Sequence, residues 1–182
     1  EEGNRAFPAE QEESQAADGY HPEMEADHEE NARELEKVIE AHGWPTSDLV
    51  GEDGAEAAWL VAQHAIGLPG FQRKCLRFVE ASVAAGKAPA WQMAMMVDRI
   101  GTFEDRPQVF GTHFDWDENG DLSPGPIENR AEVNLRRTEL GLEPLETATA
   151  KHRARNESEP VPGDLAERRE RMDAWAREVG WH

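Results

Sequence analysis

The chain has 182 residues, which suits one domain with extensions, since domains average on the order of 100–150 residues. Acidic residues number 38 against 19 basic ones; the formal net charge of -19 repels phosphate backbones and argues against duplex DNA or RNA as a partner. No stretch approaches the ~18 continuous apolar residues of a membrane span, and hydrophobic residues are only 38%, so part of the chain is expected to be solvated tail.

Residues 1–20, EEGNRAFPAEQEESQAADGY, have the composition of an acidic disordered arm. No leader is recognisable; the cytoplasm is the default compartment, and a start at Glu1 rather than Met leaves export open. A helix is predicted from Pro22 to His42, with Pro at its start, Glu23, Glu25 and Asp27 at the positive dipole end and Gly43 as its stop. Ala32, Leu35, Val38, Ile39 and His42 form its stripe, and its first half reads as too polar to bury.

From Asp53, DGAEAAWLVAQHA places Ala57, Leu60, Val61 and His64 at helical spacing, which predicts an inward-facing imidazole. Two further helices are expected, from about Pro69 to Gly86 and from about Pro89 to Glu104. Short turns marked by Gly and Pro between consecutive helices predict antiparallel packing around one core. Trp44, Trp59, Trp91 and the Met93, Met95, Met96 group read as core filling. Cys75, the single cysteine, excludes an intramolecular disulfide and reads as a buried thiol.

Residues 107–128 break the helical pattern. PQVFGTHFDW reads as a strand, and DENG as the turn of a β-hairpin centred on Asn119-Gly120. Asp115, Asp117, Asn119 and Asp121 imitate the start of a calcium loop, but Pro126 stands where the closing bidentate acid belongs. Short helices follow over Glu132–Leu140 and into TATAKHRAR; a polar linker is assigned to 151–163, and an amphipathic helix to 164–181. The expectation is thus a mainly α core domain, 22–150, antiparallel helices with one hairpin at about 107–128, and flanking tails.

The segments GWP, QHA, DRI, RPQVFGTH and VNLRRTELGLEPL together resemble an uncharacterised bacterial family, a domain of unknown function, over about residues 38–148. The resemblance implies a polar signature at Gln63, His64, Asp98, Arg99, Gln108, Gly111, Thr112 and Arg137. His113 departs from it, standing where the family is expected to carry Gln. The resemblance implies no activity.

Three arrangements of these residues are open. A buried hydrogen-bonded network would join helices to hairpin. A polar pocket of an accessory or binding protein would use His64, Asp98, Arg99, Gln108 and Thr112, with Gln63, His113 and Arg137 as further ligand contacts. A small metal-independent enzyme would use His64 as base, Asp98 to orient it and Arg99 to hold an anionic substrate. His64, Asp98 and His113 lack a tight metal-binding spacing such as HExxH, so no metal is assigned. No cofactor is assigned either, there being no glycine-rich phosphate loop. A protein partner would be met through the acidic arm or the C-terminal helix.

Overall fold

A computed structural model describes residues 21–182. The arm at 1–20 lies outside the described residues. The order of elements is α1 (Pro22–His42), α2 (Ser47–His64), α3 (Pro69–Ala84), α4 (Ala90–Phe103), β1 (Phe114–Trp116), β2 (Leu122–Pro124), α5 (Val133–Glu139), α6 (Leu145–Arg155) and α7 (Leu165–Val179). The architecture is mainly α, with one two-stranded antiparallel hairpin pairing Phe114 with Pro124 and Trp116 with Leu122. No helix among the described residues is long and apolar enough to cross a membrane.

The helices α1–α4 enclose the largest apolar cluster, with Ala32, Leu35 and Ile39 of α1 meeting Trp59, Phe71, Cys75, Val79, Met95 and Met96. Burial pushes the Cys75 thiol up to about 12, so it is inert packing. Val38 and His42 are exposed, so the α1 stripe is narrower than its sequence suggests.

Helix α2 departs from expectation twice. It begins at Ser47 rather than Asp53, with a break at Gly51, whose φ of 78° is a backbone state open to glycine. Its inward face is Ala58, Trp59, Ala62 and Gln63; Ala57 and Leu60 are exposed, while Val61 and His64 are half-buried. AEAAWLVAQHA is apolar on almost every side, so period alone cannot choose the face. The Trp59 ring decides it, with its indole N–H donating to the Gln92 carbonyl at 3.1 Å and its ring nearly perpendicular to that of Trp91, 4.9 Å between centroids.

The expected strand is also shorter. Pairing upstream of Phe114 survives only as an isolated bridge, in which Gln108 N donates to Pro126 O and Glu128 N donates to Gln108 O, each at 2.8 Å. Residues 107–113 form a loop instead. The one expected core becomes three clusters: Phe114, Val133, Leu145 and Ala148 pack under the hairpin, and Ile100, Ala176 and Trp181 bind the C-terminal helix to the body. Helix α6 runs to Arg155, the last residue of the expected TATAKHRAR helix.

Helix α7 therefore docks on its own chain. The Trp181 indole N–H donates to Ile66 O at 2.8 Å, its ring stacks on Phe103 at 5.2 Å, and the Arg73 guanidinium lies 4.9 Å above it. The Trp175 N–H reaches Glu25 Oε1 at 2.9 Å, so the polar first half of α1 is partly covered after all.

Candidate functional site

The site is built on a loop whose backbone is held from both sides. Asp98, on α4 and fully buried, accepts from Val109 N at 2.7 Å, Phe110 N at 3.0 Å, Thr112 N at 2.8 Å and the Thr112 hydroxyl at 2.8 Å. The carbonyls of the same loop meet guanidiniums. Arg137 donates through Nη1 to Phe110 O at 2.7 Å and Gly111 O at 3.2 Å, and Arg136 Nε donates to Val109 O at 2.8 Å. An acid takes the amides and two arginines take the carbonyls, which satisfies a segment that has no ladder of its own. Gly111, at φ 65°, is required: a Cβ there would sit 2.9 Å from methyls of Ile127 and Leu145.

Gln108 completes the frame. Its side-chain amide donates to His113 O and accepts from His113 N, both at 2.8 Å, imitating one rung of a sheet. Arg137 also donates through Nε to Glu143 O at 2.6 Å, which ties α5 to the entry of α6. The hydrogen bonds of Asp98, Gln108, Thr112 and Arg137 are thus directed at backbone and at one another. They fix where the next residue, His113, stands.

The His113 imidazole is held down to about pKa 4, by burial first and then by the charge of Arg99, with Arg168 adding to it and Asp115 opposing. It is neutral at physiological pH. Arg168, 8% exposed on α7, donates through Nη1 to both Asp115 carboxylate oxygens, at 2.7 and 2.9 Å. Asp115 is therefore engaged in an ion pair. Asp117 accepts from Asn119 N, Asp121 N and the Ser123 hydroxyl, so its carboxylate closes the hairpin turn.

Arg99, 9% exposed, points its Nη1 at Gln63 O, 3.4 Å away. Consecutive residues of α4 thus face different tasks: Asp98 holds the loop, and Arg99 reaches the end of α2 while its charge bears on His113. The same Gln63 carbonyl accepts from Gln72 Nε2 at 2.9 Å, and that nitrogen also donates to Ala62 O at 2.9 Å. The side-chain oxygens of Gln63 and Gln72 are buried without a hydrogen-bond partner, at a cost on the order of 1–3 kcal/mol each.

His64 stands next to this group at the end of α2, half-buried, its Nδ1 2.8 Å from Leu60 O and its ring centroid 5.3 Å from that of His28. Asp98 was expected to orient this imidazole; its carboxylate is instead spent on the loop, and the Leu60 carbonyl takes that part. A carbonyl only accepts, so Nδ1 carries the proton and Nε2 is the basic nitrogen.

The expected residues thus divide. Asp98, Gln108, Thr112 and Arg137 form the frame; beside it Arg99 reaches Gln63 O and its charge bears on His113; His64 follows Gln63 at the end of α2. Three contributors went unforeseen. Gln72 is hidden in an apolar helix, His28 lies in the half of α1 read as solvated, and Arg168 is distant in sequence.

A family model matches residues 15–152 of the chain. The chain belongs to the family of unknown function DUF6624. The matched segment carries every residue of the loop frame, together with Gln63, His64, Gln72 and Arg99, and stops within α6. Helix α7, with Arg168 and Trp175, lies beyond it. Comparison with curated proteins and with solved structures finds no match.

Proposed function

We propose that this DUF6624 member is a binding protein for a small anionic ligand, held where Arg99, Gln63 and His113 meet, with His64 at the border. The observation that carries the reading is the division of labour at Asp98-Arg99. The acid makes the loop rigid, and the charge of the adjacent, nearly buried guanidinium bears on an imidazole placed by that loop. An anion would join the contacts that the Arg99 guanidinium already makes, beside backbone that the loop frame has preorganised. Asp98, Gln108, Thr112 and Arg137 support the site rather than touch the ligand. The strongly acidic surface favours cationic protein partners over nucleic acid, so an accessory role beside a basic protein is part of the same reading.

One observation favours a second reading, a metal-independent enzyme. The Leu60 carbonyl selects the His64 tautomer with a basic Nε2, and that is what a general base requires.

The test is calorimetric titration of the full chain with acetate, alongside the unfolding temperature. The binding reading expects saturable acetate binding and a raised Tm, both lost in Arg99→Gln while unfolding stays cooperative. Equal acetate responses in the two proteins would remove Arg99 from the site. Binding that survives His64→Gln assigns the imidazole to chemistry rather than to holding the ligand.

A further inference from the structure

We propose that helix α7 is a strap, which closes over the His113 side of the body and swings away as a unit about residues 156–163 while α1–α4 stay folded. The inference is independent of the anion reading, since it rests on how α7 is held and on what it covers.

The strap is fastened at three places. At its start Arg168 donates to both carboxylate oxygens of Asp115, at 2.7 and 2.9 Å, and Arg169 Nη2 donates to Trp116 O at 2.8 Å, so both contacts fall on β1. In the middle, the Trp175 indole bonds Glu25 and its ring centroid lies 5.8 Å from that of Phe103. Just past the end of the helix, Trp181 bonds Ile66 O and stacks on Phe103. Between these points α7 offers little to bury, for its buried residues are Arg168 and Ala176. A polar helix seated through an ion pair and a few rings is held less firmly than α1–α4, which share the core of Trp59, Phe71 and Met96. It also carries its own stops: Asp164 accepts from Glu167 N at 2.9 Å, and Gly180 ends the helix at φ 95°. The stretch that leads to it, NESEPVPG, is mostly exposed and lies beyond the family segment.

What the strap covers gives its movement a chemical consequence. The charged groups that act on the His113 ring are Arg99 from α4, Asp115 from β1 and Arg168 from α7, and burial works with the two cations to keep the ring neutral. Swinging α7 away removes Arg168 from this set, leaves the Asp115 carboxylate without its bidentate partner and admits water from that side. All three changes favour the imidazolium. The closed ring lies at about 4 against an ordinary 6.5, so the open form binds the proton more readily and gains population as pH falls below 6.5. Opening of the strap thus converts the imidazole that the loop frame positions from a neutral group to a cation.

The experiment is amide hydrogen exchange of the full chain, read by mass spectrometry, with rates corrected for the intrinsic effect of pH. Peptides covering 165–179 are expected to be protected at least about tenfold less than those of α3 and α4. Arg168→Gln should speed exchange in α7 by a further factor of about ten. Between pH 7.5 and 5.5 the protection of α7 in the unaltered chain should fall about tenfold, and in His113→Gln by less than about threefold. Equal protection of α7 and the body would mean that the helix leaves only on global unfolding, and overturns the strap. Protection of α7 that stays level with pH while that of α3 and α4 falls would mean that the ring remains covered when the helix leaves, and overturns the coupling to His113. A fall of the same size in His113→Gln assigns the proton to another group, with the same result. The comparison of peptides within the unaltered chain decides the first point whatever the variants do.

Discussion

The Asp98 carboxylate and the Gln63–Gln72 amide pair are both buried polar groups of the same helical body, yet they stand at opposite limits of satisfaction. Asp98 accepts from three backbone amides and a hydroxyl, while the two amide oxygens accept nothing. A fully met buried charge fixes one conformation and is costly to disturb. A buried acceptor without a donor costs stability and is retained for another reason. The contrast separates residues that hold the loop from a pair whose side-chain oxygens the fold leaves unmet.

The comparison breaks most visibly at Asp98. Asp98→Ala strips the donors at 109, 110 and 112 of their acceptor, and leaves the arginine side of the loop without its counterpart. Stability measured by urea unfolding is expected to fall by about 4 kcal/mol, with amide exchange at Val109, Phe110 and Thr112 rising beyond the global change. A loss under about 1 kcal/mol would mean that the loop is held by its other contacts, and the frame would need a different account.

The helical body and the hairpin were readable because their signals are local: caps, Gly stops, apolar spacing and the DENG turn. What the sequence could not show is which face of an almost wholly apolar helix turns inward, and α2 came out rotated, with Gln63 buried where His64 was expected. Nor does any local pattern show that PQVFGTH is a clamped loop; its alternation satisfies a strand template, and only Asp98 and Arg137, from two other helices, decide otherwise. The polar residues themselves were legible as a set. Their division into frame and site was not, because it depends on contacts across long separations, such as Arg168 with Asp115.

A change of pH sharpens the comparison at the edge of the frame. The His113 ring lies at about 4 in the folded chain against an ordinary 6.5, so the unfolded chain takes up the proton more readily. Stability from this residue is intact above 6.5, is lost as pH falls through the interval from 6.5 to about 4, and is level below. Between pH 7.5 and 5.5 the loss is about 1.5 kcal/mol. His113→Gln should remove that part of the slope. His152, lowered chiefly by burial and stacked on Phe114 at 4.0 Å, contributes with the same sign and should leave a residual slope. The lowered carboxylates Asp48, Glu104, Asp117 and Glu146 act near or below their ordinary values of 3.8 and 4.5, outside the span from pH 7.5 to 5.5. An unchanged slope in His113→Gln would show that the ring titrates freely, and would remove Arg99 from its neighbourhood.

The smallest expected effect is the most informative about the unmet side of the comparison. Gln63→Met replaces a 2% exposed amide by a thioether of similar volume and removes an acceptor that has no donor, so stability should be unchanged or rise by up to about 1 kcal/mol. Gln72→Met, one helix away, should instead cost about 1 kcal/mol or more, because its Nε2 is the donor to both Ala62 O and Gln63 O. Opposite signs from the same chemical change, read in one set of urea curves, follow only if the Gln63 side chain contributes nothing to folding. A matching loss in both variants would place the Gln63 amide in the frame with Gln108, and would take from the site the acceptor that distinguishes it from the loop beside it.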